Sequence, residues 1–345
     1  MSLLSVRDLR VHFPVRRGGQ RLVARAVDGV DLELSRSETL GLVGESGSGK
    51  STTGRAILRL VDITDGSIRF DDITFDRTSG RVPRGYRKRV QVVFQDPYSS
   101  LNPRMRVGTA IADPARRHLG LSRADAAERA RELFDLVGLD PRHTDRLPHE
   151  FSGGQRQRVA IARALASDPE LIVCDEAVSA LDVSTQAQVL NLLQDLREQT
   201  GVAYLFIAHD LDVVRHMSDR ISVMYLGRIV ETGPADTVAT EPRHPYTELL
   251  HDAVPIPDPV AQMGRRQARR QMRSSADPAS PLSPPSGCAY HPRCPFAMDI
   301  CRAEVPPATP VAGVTDAWVR CHLHQHGPRL DGAPISDLLD SSANR

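Results

Sequence analysis

The sequence predicts an α/β fold with a largely parallel sheet, followed by an irregular extension of different composition. Three observations carry this expectation. Over the first 240 residues, short apolar runs alternate with longer amphipathic ones, as when strands and helices are taken in turn. The strand candidates Thr39–Val43, Val90–Phe94, Leu171–Cys174 and Ala203–Ala208 are near-continuously apolar, as expected of parallel strands covered on both faces. Finally, 16 of the 25 prolines and four of the five cysteines lie beyond residue 240, so the C-terminal third obeys different rules.

The helix candidates follow the strands in order. Ser51–Arg59 comes first, and Arg81–Arg89 reads as a basic loop marked by Pro83 and Gly85. Ser122–Leu136 places Ala126, Ala130, Leu133 and Leu136 at roughly helical spacing. Its Ser122 suits an N-cap, where a hydroxyl accepts from a free first-turn N–H. Gln155–Ala166, Thr185–Gln199 and Leu211–Met217 complete the set. Thr240–Tyr246 reads as a boundary, and 241–286 as boundary and linker. Its Val254–Pro259 is too proline-rich for a regular helix. Residues 287–328 form a cysteine-bearing module, and 329–345 a loose tail. No internal repeat is visible.

A length of 345 residues suggests two or three folded units. With 44 basic and 43 acidic residues the net charge is +1, which argues against a general nucleic-acid binder. The basic run Arg265–Arg273 could meet phospholipid or RNA, or be a solvated linker. The longest apolar run, Val202–Ala208, is far short of the ~20 residues of a membrane helix. Met1–Arg10 shows no basic segment followed by an apolar stretch, so no signal peptide is expected and the chain reads as soluble and cytoplasmic. Only Lys50 and Lys88 are lysines, which draws attention to each.

Gly44-Glu45-Ser46-Gly47-Ser48-Gly49-Lys50-Ser51 fits G-x-x-x-x-G-K-[ST] between a predicted strand and a predicted helix. Its glycines let backbone N–H groups converge on phosphate oxygens, and the following helix, entered through Ser51 and Thr52, adds a favourable dipole. Lys50 supplies charge for the β- and γ-phosphates, and the Ser51 hydroxyl can ligate Mg²⁺. Leu171–Cys174 runs into Asp175 and Glu176. Asp175 suits a second Mg²⁺ ligand and Glu176 a general base for water; the alternative is a solvated acid pair capping the next helix. Gln95 ends the strand Val90–Phe94, and His209 ends Ala203–Ala208. Four strands thus deliver polar groups at their C-terminal ends, the edge at which open α/β sheets bind ligands.

Phe151-Ser152-Gly153-Gly154-Gln155, together with the phosphate loop, Gln95, Asp175-Glu176, Ser179-Ala180-Leu181-Asp182 and His209, makes residues 3–240 resemble the ATP-binding subunit of ABC transporters. Phe151 stands where leucine is commonest. The resemblance implies a P-loop NTPase (RecA-like) mixed sheet over 1–240, with an α-helical signature subdomain at about 96–160. It implies ATP held between the phosphate loop of one domain and, in trans, Ser152, Gly153, Gly154 and Gln155 of another. It further implies that Asp182 links the two sites, that Gln95 touches Mg²⁺ or water, that His209 contacts the γ-phosphate and that Phe13 stacks on adenine; Phe13 could equally be a core residue. A second ATPase subunit (self or paralogue), two membrane permease subunits and an extracytoplasmic solute-binding protein are the implied partners, at the cytoplasmic face of the membrane. A soluble ABC ATPase of repair or translation would carry tandem domains or a coiled-coil insertion, and neither is visible.

Asp96–Arg104, Arg243-His244-Pro245-Tyr246-Thr247 and His291-Pro292-Arg293-Cys294-Pro295 are similar to segments of dipeptide and oligopeptide importers. Nickel and glutathione importers have closely similar subunits. Cys288, Cys294, Cys301 and Cys321 number enough for one tetrahedral metal or one iron–sulfur cluster. The resemblance implies a [4Fe–4S] cluster. Zinc, with His291, His322 or His324 as substitute ligands, and reduced thiols packed as small hydrophobes are the alternatives. Cys174 reads as a core residue.

Overall fold

The computed structural model describes residues 2–96, 101–253, 280–326 and 330–338. Pro97–Ser100 of the Asp96–Arg104 segment, the Val254–Pro259 stretch and the basic run Arg265–Arg273 lie outside them.

The chain opens on a long hairpin, β1 (Ser2–Arg17) and β2 (Gln20–Ser35), followed by β3 (Thr39–Val43), α1 (Lys50–Ile57), β4 (Asp65–Phe70) and β5 (Ile73–Asp76). Then come α2 (Arg84–Arg89), β6 (Val90–Phe94), α3 (Val107–Leu119), α4 (Arg123–Leu136) and α5 (Gly153–Leu165). The middle of the chain gives β7 (Leu171–Asp175), α6 (Val183–Thr200), β8 (Ala203–Ala208), α7 (Leu211–Met217), β9 (Arg220–Tyr225) and β10 (Arg228–Pro234). After α8 (Ala235–Thr240) and α9 (Pro245–Ala253), the extension adds α10 (Asp299–Ala303), β11 (Thr309–Pro310) and β12 (Trp318–Val319).

The predicted strands form the centre of an eight-stranded mixed sheet, in the order β11-β12-β10-β9-β3-β8-β7-β6. Strands β9, β3, β8, β7 and β6 run parallel. Apolar side chains fill both faces of this sheet: Val43, Ile172, Cys174 and Phe206 join one core, and Leu42, Val173, Leu205 and Ile207 another. Cys174 is fully buried, as expected, and burial pushes its thiol up to about 12. Between β6 and β7 lie α3, α4 and α5, the helical unit expected near 96–160. Ser122 caps α4 by accepting from the Asp125 N–H at 3.2 Å.

A second, antiparallel sheet, β2-β1-β4-β5, was not predicted. The reason is physical: β1 pairs with β2 through register shifts at Val6/Leu9, Leu9/Arg10 and Val11/His12, and such bulges break the period of two that marks a strand. Likewise Pro114 inside α3 obscures a helical pattern.

Two expectations need correction. The basic segment Arg81–Arg89 is not simply a loop, because Arg84–Arg89 is helical. Tyr86 anchors it, edge-on to Phe70 and Phe75 at centroid distances of 5.5 and 4.7 Å, and its hydroxyl donates to the Ile57 carbonyl. Arg87, Lys88 and Arg89 sit in the last turn, where cations favour the negative end of a helix. The second correction concerns the C-terminal third. The proposed boundary is a joint: both carboxylate oxygens of buried Glu231 accept backbone N–H groups, from Arg243 and His244, each at 2.9 Å. Pro245–Ala253 then forms a helix rather than a linker. The cysteine module extends the main sheet, since β12 pairs with β10 through Trp318↔Thr232 and Val319↔Glu231. Residues 330–338 are not loose: Ile335 is fully buried with Val319, Leu323 and Leu330, and its N–H donates to the Pro242 carbonyl at 2.9 Å.

Candidate nucleotide site

Register brings the predicted polar groups to one edge. Phe94 pairs with Asp175, Asp175 with Ile207, and Val43 with Ala208. The residues that follow are therefore neighbours: Gly44 opens the phosphate loop, Gln95 follows β6, Glu176 follows β7 and His209 follows β8. Parallel strands of matched length end together, and their next residues share one rim.

The loop Gly44–Gly49 lies between β3 and α1, as the motif requires. Gly49 is the N-cap of α1 with φ 107°. A Cβ there would stand 2.2 Å from the Ala26 carbonyl oxygen, so neither the turn nor the close approach of backbone allows a larger residue. The buried Lys50 Nζ donates to the Gly44 and Glu45 carbonyls at 2.7 and 2.9 Å. Burial lowers its pKa, while Glu176, Asp175 and Glu45 pull it back up. Its charge is thus held at the centre of the loop by loop carbonyls and three nearby acids.

Ser51 Oγ donates to Asp175 Oδ1 at 2.7 Å. Asp175 is buried, and desolvation raises its pKa against the opposing bond from Ser51 and the charges of Arg55 and Lys50. A hydroxyl beside a carboxylate at the end of a phosphate loop is an oxygen-only donor pair that fits Mg²⁺. Thr52 is half-buried one residue along α1, and Ser46 and Gly47 lie at the exposed turn of the loop.

Glu176 adopts φ 51°, a left-handed backbone that non-glycine residues rarely take and that is common at functional sites. Its N–H donates to the Ile207 carbonyl at 2.9 Å, and its own carbonyl accepts from Ser179 Oγ at 3.0 Å. Its carboxylate therefore leaves β7 along a different path from Asp175 and reaches His209, whose Nδ1 lies 3.9 Å from Oε2. The capping alternative for the acid pair does not describe this geometry, because Asp182, not Asp175 or Glu176, caps α6. Gln95 is exposed at the rim. Phe13 is 39% exposed on the β1–β2 hairpin, so it is not an ordinary core residue.

The signature residues form a second group. Ser152 caps α5 in a reciprocal box, Gln155 N–H to Ser152 Oγ at 3.3 Å and Ser152 N–H to Gln155 Oε1 at 3.0 Å. Gly153 and Gly154 follow as the first helical residues, so the free N–H groups of that first turn face outward. A Cβ on Gly154 would meet Thr185 Cγ2 at 2.3 Å, which seats the signature against the start of α6. There Asp182 Oδ1 accepts from the Ser184 hydroxyl at 2.6 Å and the Thr185 N–H at 3.0 Å, and Oδ2 from the Thr185 hydroxyl at 2.8 Å, and these bonds lower its carboxyl to about 2.

A zinc tetrahedron, with Zn–S near 2.3 Å, needs its sulfurs about 4 Å apart. Among the described residues, the ligand atoms brought within 4.8 Å of one another are those of Glu248, His251 and Asp252, not the thiols. Each proposed histidine substitute has one ring nitrogen on a backbone carbonyl, His291 Nδ1 on Cys288, His322 Nε2 on Glu304 and His324 Nε2 on Arg243, and buried His322 Nδ1 has no hydrogen-bond partner among the described residues. The described thiols are thus not set at zinc spacing. Two of the cysteines are neighbours through the backbone, the Cys288 N–H donating to the Cys301 carbonyl at 2.8 Å.

One feature of the loop had no visible signal in sequence. Glu45, in the loop, is bound by Arg293 and Tyr246 of the C-terminal third. Both partners stand in segments singled out above, but a pairing across 248 positions leaves no mark on spacing.

A phosphate loop on a parallel sheet edge, an acid pair on the adjacent strand and a signature that opens a helix define a nucleotide-hydrolysing cassette. The description "ABC transporter" matches residues 27–179, and "Oligopeptide/dipeptide transporter, C-terminal region" matches residues 230–301. The oligopeptide transport ATP-binding protein AppF of Bacillus subtilis is 46% identical over 328 residues, 94% of this chain and 98% of that protein. OppF of Salmonella typhimurium, also an oligopeptide transport ATP-binding protein, is 50% identical over 310 residues, 88% and 92% of the two chains. The dimeric ATP-binding cassette MJ0796, solved in a post-hydrolysis state with ADP and Pi, matches with TM-score 0.59 and 28% identity over 67% of this chain and 98% of its own. This chain belongs to the ABC transporter family of ATP-binding proteins and is an ABC ATPase. No helix among the described residues is long and apolar enough to cross a membrane.

Proposed function

We propose that this chain is the subunit whose ATP hydrolysis drives an importer of di- or oligopeptides. The observation that carries the peptide reading is the C-terminal region, matched over 230–301 to that of oligopeptide and dipeptide transporters and continuous with the ATPase sheet through β10. In this reading ATP lies between the loop Gly44–Thr52 of one subunit and Ser152, Gly153, Gly154 and Gln155 of a second, with Phe13 against the adenine and Asp182 at the junction. Ser51, Asp175 and Gln95 would hold Mg²⁺, which would supply charge to neutralise the phosphates. Glu176 takes a proton from water as the water oxygen attacks the γ-phosphorus. The bond to the β–γ bridging oxygen breaks, and ADP and phosphate result. His209, beside Glu176, holds the γ-phosphate in line.

The partners are a second ATPase subunit and two permeases, at the cytoplasmic face of the membrane, with a solute-binding protein on the other side. The test is reconstitution of the chain with its permeases and partner ATPase in vesicles. A solute-binding protein loaded with a short peptide should raise the ATPase rate severalfold. Stimulation by nickel- or glutathione-loaded binding protein, with none by peptide, would replace the peptide assignment.

We also assign a [4Fe–4S] cluster to Cys288, Cys294, Cys301 and Cys321. Burial raises the thiols of Cys288 and Cys321 and pushes Cys294 up to about 12. Backbone groups of Tyr290 and His291 at Cys288, Phe296 at Cys294 and Leu323 at Cys321 oppose that shift. Burial therefore favours the neutral thiols, so a bound cationic cluster would have to displace their protons, and the backbone donors to sulfur would favour the thiolates it needs. The cluster would brace the extension. Protein purified without air should contain about four irons per chain and absorb visible light. Absence of iron and of that absorbance would leave four reduced thiols.

A further inference from the structure

The phosphate loop is gripped from outside its own domain. Arg293 Nη1 donates to Glu45 Oε2 at 2.8 Å and Nη2 to Oε1 at 3.0 Å, the planar fork that matches a carboxylate on both oxygens. The Arg293 side chain is 16% exposed, and its guanidinium lies 6.0 Å from the Tyr225 ring centroid and 5.8 Å from that of Tyr290. Those two rings pack with Tyr246, at centroid distances of 4.6 Å for Tyr225–Tyr246 and 5.5 Å for Tyr246–Tyr290. Fully buried Tyr246 in turn accepts the Glu45 backbone N–H on its hydroxyl at 2.6 Å. One residue of the loop is therefore held at its backbone by the Arg243–Thr247 segment and at its side chain by the His291–Pro295 segment.

That residue matters because of what its other end does. The Glu45 carbonyl accepts from Lys50 Nζ at 2.9 Å and from the Ser48 N–H at 3.2 Å. Its peptide groups thus join the outer grip to the lysine at the centre of the loop. The loop also contains Gly44, Gly47 and Gly49, residues that lose the most conformational freedom on ordering. A loop fixed before the ligand arrives spares that cost at binding.

We propose that Arg293, together with Tyr246, is a positioning residue for ATP binding, through which the C-terminal extension pins Glu45 and holds the phosphate loop in its nucleotide-ready form. The inference rests on ATP being bound by this loop and adds a control that the loop motif does not contain. Arg293 touches no reacting atom, so its loss should appear in ATP affinity rather than in the chemical step.

The experiment is a double-mutant cycle on the full-length chain, with ATP affinity measured by calorimetry and KM and kcat measured in the assembled complex. Arg293→Gln should raise the Kd and KM for ATP about threefold to tenfold, the scale of a half-buried bidentate pair, with kcat within twofold. Glu45→Gln should raise Kd similarly, and the double variant should be no worse than the weaker-binding single. Arg293→Lys, which keeps the charge but not the fork, should fall between. The reversed pair Arg293→Glu with Glu45→Arg should bind ATP more tightly than either reversal alone. If Arg293→Gln proves unstable, Glu45→Gln breaks the same bond from the half-exposed side. Unchanged Kd and KM in both single variants, a loss confined to kcat, or additive effects in the double variant would overturn the proposal. Failure of the unaltered chain to bind ATP would instead overturn the nucleotide reading.

Discussion

Glu176→Gln should lower steady-state ATP hydrolysis in the assembled complex by about 10²- to 10⁴-fold, the contribution expected of a positioned general base. Gln is nearly the same shape, and its backbone can hold φ 51° at a cost like that of Glu. The N–H bond to the Ile207 carbonyl does not involve the side chain, so the β7 rim should stay folded. What disappears is the proton acceptor. Lys50, Ser51 and Asp175 keep their contacts, so ATP should bind within about threefold of normal and accumulate uncleaved in a closed dimer. Rate assays paired with filter binding of labelled ATP separate the two steps. A normal turnover rate in this variant would sink the assignment of Glu176 as base, and would direct attention to His209, which lies 3.9 Å away.

Lys50→Ala should act on the preceding step. Hydrogen bonds to a charged partner contribute about 1.5–3 kcal/mol each, and the ammonium at the centre of the loop can offer more than one to phosphate oxygens. ATP affinity should therefore fall about 10²-fold or more, which corresponds to roughly 2.7 kcal/mol. Alanine is the best helix former, so α1 should persist and far-UV circular dichroism should be unchanged. The Gly44 and Glu45 carbonyls lose the donor they share, so a drop of a few degrees in melting temperature is expected as well. Calorimetric titration with ATP checks the first effect and a thermal scan the second. Retained micromolar binding would show that the loop amides alone carry the phosphates.

Much of this site was readable without coordinates, for a definite reason. The phosphate loop is a local device: a strand, a glycine-rich turn and a helix start, all within about a dozen consecutive residues. Short-range chemistry of this kind must be written contiguously, and so must the caps. Ser152 with Gln155 and Ser122 with Asp125 connect residues three apart, which any reading of neighbours can find. The central strands were equally legible, because burial on both faces leaves a run of apolar residues with no polar interruption.

What escaped was long-range or disguised. The β1–β2 hairpin hides its alternation behind bulges, and the helix of Arg84–Arg89 looks like a polar loop until Tyr86 is seen between Phe70 and Phe75. The C-terminal third departs furthest from its sequence pattern. Its prolines and cysteines signal departure from regular structure, but composition cannot say against what a segment packs. The anchoring of Arg243 and His244 on Glu231, the addition of β12 to the sheet and the burial of Ile335 all turn an expected appendage into part of the ATPase.

By itself, then, the sequence determined the nucleotide-site vocabulary of this protein: the loop, the acid pair and the signature, each specified by residues close in the chain. Only the tertiary structure decided how those parts bear on one another. Strand register set Gln95, Glu176 and His209 on one rim, and folding across 248 positions placed Arg293 on Glu45. The physical reason is that spacing encodes short-range geometry, whereas a contact between distant segments exists only once the core has fixed where each of them lies.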